Sequence, residues 1–127
     1  MTSKEEVCVK VLMYVMNYAS SEISKFDDVY KSKLAGLTEI IVWKVADNIS
    51  FITEIKDGNI SGSEGSSDNA TMTFEIGDVN TALELFTGRI EMDKAMDKVK
   101  IIGDAETLLK LNFILDTVKK YIGNLSN

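Results

Sequence analysis

The chain has 127 residues, 45% of them hydrophobic, and a net charge of −6. That length is read as one domain, able to bury about two-thirds of its unfolded surface. The acidic balance argues against a phosphate-backbone binder, and the absence of histidine with a single cysteine, Cys8, removes histidine triads, the usual zinc sets and intrachain disulfides.

Ser3-Lys4-Glu5-Glu6 has the form of a capping box ahead of an apolar run. Val7, Leu12 and Met16, with Val11 and Val15 beside them, fall on a broad helical face, and the length and the cap favour helix over the strand that Val7-Val9-Val11 alternation also allows. The run VCVKVLMYVM is broken by Lys10, far short of the about 20 apolar residues that cross a bilayer. It has neither the basic start nor the small-residue cleavage site of a signal peptide, so a cytoplasmic location is expected. Asp27-Asp28 opens a second, short helix through Tyr30 and Leu34, with Gly36 as its stop.

TEIIVWKV and ISFITEIKDG are rich in β-branched and aromatic residues and predict strands. Ile41, Trp43 and Val45 share one face; Ile49, Phe51 and Ile55 share one face of the next strand. Asp57-Gly58 is a hairpin turn signal, followed by a short strand around Ile60, and SGSEGSSDN reads as a polar loop. ATMTFEI alternates with Met72, Phe74 and Ile76 inward. Gly77-Asp78 ends it, and Asp78 caps a helix containing Ala82, Leu83, Leu85 and Phe86 that Gly88 stops. Met92, Ala95, Met96 and Val99 at i, i+3, i+4 and i+7 predict a turn or two of helix before the strand VKII. Asp104 caps the last helix, which Gly123 ends. Hairpin-linked strands with helices gathered mainly on one face predict an α+β domain built on a largely antiparallel sheet.

The last helix is apolar over more of its circumference than one packing surface needs. Leu108, Leu111, Leu115, Val118 and Ile122 form one stripe, and Leu109, Phe113, Ile114 and Tyr121 lie beside or beyond it. The first helix shares the property, since Val9, Met13 and Met16 extend the Val7-Val11-Val15 row. Three readings are open: wide faces packed on several neighbours, an oligomer interface, or an internal cavity for an apolar ligand. Periodicity does not rank them.

From Ile49 onward an ordered set of pieces recurs: a strand, an Asp-Gly turn, a short strand, a polar loop, the strand DNATMTFEI, a helix ending ALELFTGRI, an amphipathic segment centred on Ala95, and the strand-Gly-Asp-helix VKIIGDAETLLKL. In this the chain resembles the sterol carrier protein type-2 domain, the non-specific lipid-transfer family, and the N-terminal helices and the Leu37–Val45 strand extend the likeness over nearly the whole chain. Family members often carry proline where Glu91-Met92 stands and glycine where Asp97 stands, so the segment near the tunnel mouth departs from the pattern. The end, Leu125-Ser126-Asn127, is not the Ser-Lys-Leu peroxisomal address of some members. The resemblance implies a five-stranded sheet covered by helices, an apolar tunnel between them, and ligands such as fatty acids, acyl chains, phospholipids or sterol-like molecules. It implies no cofactor, metal or catalytic residue.

On that footing Trp43, Phe51, Met72, Phe74 and Phe86 are candidates for the lining, although each taken alone reads more readily as ordinary core. Met92 and Met96 suit a mobile wall because thioethers adapt to varied chains, and Glu91–Lys98 is the candidate gate. Leu108, Leu111 and Leu115 are shared between core and cavity, whereas Leu109 and Phe113, off the main stripe, point more specifically to ligand or to the first helix. Asn112 either faces water or hydrogen-bonds a head group. Asp78 and Asp104 read as caps, Asp93 and Asp97 as a solvated face, Arg89 as solvent-facing or a carboxylate partner, and Cys8 as a small apolar group. GSEGSS lacks the Gly-Lys-Ser/Thr of a phosphate loop. The expected function is non-catalytic lipid binding with no stable membrane insertion and no nucleic acid; the alternative is a protein-interaction module that dimerises or docks on an enzyme subunit through its apolar helix faces.

Overall fold

Ser3 starts the first helix, its hydroxyl accepting from the Glu6 backbone N–H at 3.2 Å, and α1 runs Lys4–Phe26. Asp27 ends α1 and begins α2 (Asp28–Ala35), with Oδ1 accepting from the Tyr30 N–H at 3.0 Å. The strands are β1 (Glu39–Val45), β2 (Ile49–Lys56), β3 (Asn59–Glu64), β4 (Met72–Ile76) and β5 (Val99–Ile102). Between β4 and β5 lie α3 (Val79–Phe86), α4 (Met92–Ala95) and a 3-10 turn (Met96–Lys98); α5 (Ala105–Ile122) follows β5. This computed structural model describes residues 3–87, 89–90 and 92–122, with the side chains of residues 92, 93, 96, 115 and 122 outside that description. The expected stops at Gly88 and Gly123 therefore fall outside the described residues.

The sheet order is β3-β2-β1-β4-β5. Three pairings are antiparallel, as hairpins dictate, and the central β1–β4 pairing is parallel, so the sheet is mixed. The parallel pair arises because β4 returns to the free edge of β1 after the β2–β3 hairpin. Asp57 and Gly58 both take positive φ, 54° and 81°, the pair of conformations that lets a two-residue turn follow the strand twist. Ser61 to Glu64, read from sequence as loop, are strand: Gly62 pairs with Thr53 and Glu64 with Phe51, and ladder hydrogen bonds outweigh the low strand propensity of a Ser/Gly run.

Alternation puts Ile41, Trp43, Val45, Phe51, Ile55, Met72, Phe74 and Ile76 on one face, under the helices, and all but the half-buried Trp43 are buried. The opposite face carries Lys44, Glu75 and Lys100 in register across β1, β4 and β5. The phase of α1 differs from the expected row. Val9 and Met13 are the core side chains, while Val7, Val11 and Val15 point to solvent. Asn17 explains the rotation, because it sits directly over Gly62, where an added Cβ would fall 2.4 Å from the amide carbon, and this contact fixes which face of α1 meets the sheet.

Candidate functional site

A cavity of about 60 Å³ lies between the helix-covered face of the sheet and helices α1, α3 and α5. Its floor is Ile41 and Trp43 of β1, Thr53 of β2, Ile60 of β3 and Phe74 of β4. Met13, Met16, Asn17 and Ser20 of α1 form one wall, and Leu108, Leu111, Asn112, Ile114 and Val118 of α5 form the roof, with Phe86 of α3 at one end. No residue of this lining is charged.

The floor is rigid by aromatic packing. The Trp43 ring stacks on Phe74 with centroids 4.5 Å apart and an interplanar angle of 14°, and Phe86 meets it edge-on at 5.7 Å. The indole N–H needs a partner in such a place, and it donates to Thr53 Oγ1 at 3.1 Å. The Thr53 hydroxyl donates onward to Asn17 Oδ1 at 2.8 Å, and Asn17 Nδ2 donates to the Met13 carbonyl at 2.8 Å. This relay satisfies the polar groups of an otherwise apolar wall and ties α1 to the sheet. Behind Ser20 lies Tyr30, 2% exposed, whose hydroxyl has no hydrogen-bond partner of good geometry among the described residues. Burial raises its pKa above the ordinary value, and the Ser20 hydroxyl opposes part of that shift.

The roof is held differently. Beyond its own N-cap, the one hydrogen bond that α5 makes to another element among the described residues is Tyr121 hydroxyl to Asp27 Oδ2, at 2.6 Å. Phe113 packs edge-on against Tyr30 at 5.6 Å under the Lys33 ammonium, and Tyr121 packs on Phe26 at 6.3 Å. Gly103, at φ 145°, turns the chain from β5 into α5, and a Cβ there would lie 2.6 Å from the Met72 sulfur.

Of the residues selected from sequence, Trp43, Phe74, Phe86, Leu108, Leu111 and Asn112 line the cavity. Phe51 and Met72 are fully buried but off its surface: Phe51 faces the Tyr14 ring at 4.9 Å, and Met72 is packed beneath Gly103. Leu109 is 71% exposed and Phe113 turns to α2, so neither is among the residues that line this cavity; the 3.6-residue period carries them past the roof once Leu111 and Val118 point inward. Met92, Met96 and Leu115 have side chains outside the described residues, as does Glu91 at the start of the candidate gate; the remainder of that gate forms α4 and the 3-10 turn, with Ala95 buried.

Sequence reading missed Asn17, Ser20 and Thr53. The signal existed: Thr53 falls between Phe51 and Ile55 at a spacing of two, and Asn17 continues Val9 and Met13 at a spacing of four, so each is a polar residue in an inward register.

Among the described residues no group of three or more acidic, cysteine or histidine side chains is placed to hold a metal. The carboxyls of Asp27, Asp78 and Asp104 lie below the ordinary carboxylate value because a hydrogen bond stabilises each anion: chiefly the Tyr121 hydroxyl for Asp27, and the backbone N–H groups of Thr81 and Thr107 for the other two. These are helix caps. No described helix is long and apolar enough to cross a membrane.

The fold and one family model agree. The solution structure of the sterol carrier protein domain 2 of Helicoverpa armigera matches with a TM-score of 0.64 over 84% of this chain and 86% of that one, at 18% identity. A ubiquinone synthesis protein, UbiJ-SCP2, matches with a TM-score of 0.61 over 94% of this chain and 98% of that one, at 11% identity. The inverting sec-alkylsulfatase Pisa1 from Pseudomonas sp. matches 68% of this chain with a TM-score of 0.52 at 20% identity, and the match spans only 14% of the alkylsulfatase. At these identities the likeness is one of fold. No curated protein sequence matches the chain. The model of the SCP-2 sterol transfer family matches residues 21–116, most of the chain including every strand, and the protein belongs to that family.

Proposed function

We propose that the protein binds a lipid by its hydrocarbon portion in the cavity under α5, and carries or presents it without altering it. The observation that carries this reading is an uncharged, largely apolar lining placed between a fixed floor and a roof held mainly by side-chain packing. Burying an alkyl chain there is favourable by roughly 0.8 kcal/mol per CH₂.

The cavity's 60 Å³ is a few water-sized spaces, against the roughly 10–15 Å³ that one water needs, and below the about 300 Å³ at which drug-sized pockets begin. A whole fatty acid, phospholipid tail or sterol-like ring system therefore enters only as α5 lifts. A carboxylate or phosphate has no cation to meet inside and stays at the exposed Asn112 end. Few polar contacts mean weak discrimination among chain types, with one methylene worth about 1–3 kcal/mol. The net charge of −6 disfavours anionic membranes and favours storage or presentation in the cytoplasm over direct docking on a bilayer. The lack of histidine and the capping roles of the shifted carboxylates support a non-catalytic role. The partial likeness to an alkylsulfatase chain fits a domain that presents ligands to a catalytic partner.

Organic extraction and mass spectrometry of the purified protein tests this, with displacement of a fluorescent fatty acid as the second arm. Co-purified lipid and saturable displacement are expected. Leu108→Glu places a charge in the first turn of α5, where the helix tolerates it, and at the cavity wall, so it is expected to abolish uptake while circular dichroism stays native. The absence of both co-purified lipid and saturable binding in the wild type would overturn the proposal.

A further inference from the structure

The outward side of α1 carries an apolar row that the described residues leave about half exposed, with the Tyr14 ring resting edge-on against Phe51 at one flank. Val7, Val11, Tyr14, Val15 and Tyr18 are 50%, 53%, 48%, 39% and 69% exposed. Val7, Val11, Tyr14 and Tyr18 follow one another at spacings of four, three and four, the pattern of a two-helix seam, and they span about 16 Å at 1.5 Å per residue. Between Val11 and Ser21 the helix has no charged residue, in a chain whose net charge is −6. The opposite side of the same helix is already committed, with Val9 and Met13 in the core and Met16, Asn17 and Ser20 on the cavity.

We infer that this row is the interface of a two-fold dimer in which the α1 helices of two copies of this chain pack antiparallel. The sequence is self-complementary about the point between Leu12 and Met13. Reversing one copy about that point sets Val7 against the partner's Tyr18 and Val11 against the partner's Tyr14, so each small side chain meets a large one. It sets Lys4 opposite the partner's Ser21, next to the partner's Glu22, at both ends of the seam by symmetry. Among the described residues Lys4 has no ion pair, and Glu22, paired only with Lys25 of its own helix, keeps 46% of its side chain exposed. A lipid surface fits this row less well, because no cluster of Lys or Arg borders it and Glu22 stands on the same face. The seam leaves α5 and the cavity roof outside the contact, so dimerisation is independent of lipid uptake.

Sedimentation equilibrium of the full chain tests the inference. The wild type is expected to move from 14.1 kDa toward twice that mass as concentration rises. Val11→Lys, at an exposed position, should remain monomeric with unchanged circular dichroism. Lys4→Glu should weaken association about fivefold, the scale of exposed charge pairs made twice and turned repulsive, and adding Glu22→Lys should restore it. A wild type that stays at monomer mass throughout, a Val11→Lys variant that associates like the wild type, or a charge swap that does not restore association would overturn the dimer. So would binding of the monomer to phosphatidylcholine–phosphatidylglycerol vesicles that Val11→Lys abolishes, because the row would then be a lipid-docking face.

Discussion

Helices α1 and α5 both carry more apolar surface than one packing contact consumes, and the two surpluses end in different places. In α1 the surplus faces outward, because the Asn17–Thr53–Trp43 relay and the contact of Asn17 with Gly62 fix the helix's rotation on the sheet. In α5 the main stripe of Leu108, Leu111 and Val118, with Ile114 beside it, faces inward over unfilled space, while Leu109 and Tyr121 face outward and Phe113 turns to α2. One polar anchor therefore decides what an apolar excess is for. A helix pinned to the floor can leave its extra face to solvent or a partner, and a helix that is not pinned can leave a gap beneath it.

The largest effect is expected within α5, where neighbouring leucines have opposite situations. Leu111→Ala should cost about 2–4 kcal/mol in urea unfolding, since a buried roof side chain is removed beside an existing void that does not collapse. Leu109→Ala should stay within about 0.5 kcal/mol, the range for an exposed side chain. Equal costs at the two positions would mean that the roof is rotated from the arrangement described.

A middle-sized effect should come from the anchor of α1. Thr53→Val keeps the shape of the side chain but leaves the Trp43 N–H without an acceptor and Asn17 Oδ1 without a donor, at a cost of about 1–3 kcal/mol for buried groups so orphaned. The same variant should leave the stability difference between Leu111→Ala and its parent unchanged, because the relay touches α1 and the floor rather than the roof. Strong coupling between Thr53→Val and Leu111→Ala would show that α1 and α5 are held by one network, and the contrast between them would fail.

Much of the framework was legible from local chemistry. Ser3, Asp27, Asp78 and Asp104 are caps in the structure as their positions before apolar runs implied, and β1, β2 and β4 follow their alternation. What was not legible depended on partners distant in sequence. Ser61–Glu64 become strand only because β2 offers a ladder, and the phase of α1 is set by Gly62, forty-odd positions away from Asn17. The leucines of α5 show why the site itself was read incompletely. Periodicity places Leu108 and Leu111 together, but which edge of a wide stripe overhangs the void depends on where Phe113 finds Tyr30. The polar members Asn17 and Thr53 lay in inward registers, a pattern that a search for apolar surplus passes over.

The smallest effect is expected at the clasp between the two helices' ends, and it is a kinetic one. Tyr121 donates to Asp27 Oδ2, while Asp27 Oδ1 keeps its cap on Tyr30. The bond needs an ionised Asp27 and a protonated Tyr121. Asp27 titrates below its ordinary 3.8, so its share of stability is present above that value and is lost as pH falls through the depressed folded pKa. Tyr121 titrates above its ordinary 10.0 because of the same bond, so its share is present below that value and is lost as pH rises through the raised folded pKa. The clasp thus holds across the neutral range and opens at both extremes. Tyr121→Phe should leave the unfolding midpoint nearly unchanged, since both groups face solvent, yet it should speed amide hydrogen exchange in the last turns of α5, and displacement of a bound fluorescent fatty acid, a few-fold at neutral pH. Once pH falls below the depressed folded pKa of Asp27, the variant and the wild type should converge. If exchange in α1 rises as much as in α5, the clasp holds both helices alike and α5 is no looser than its neighbour.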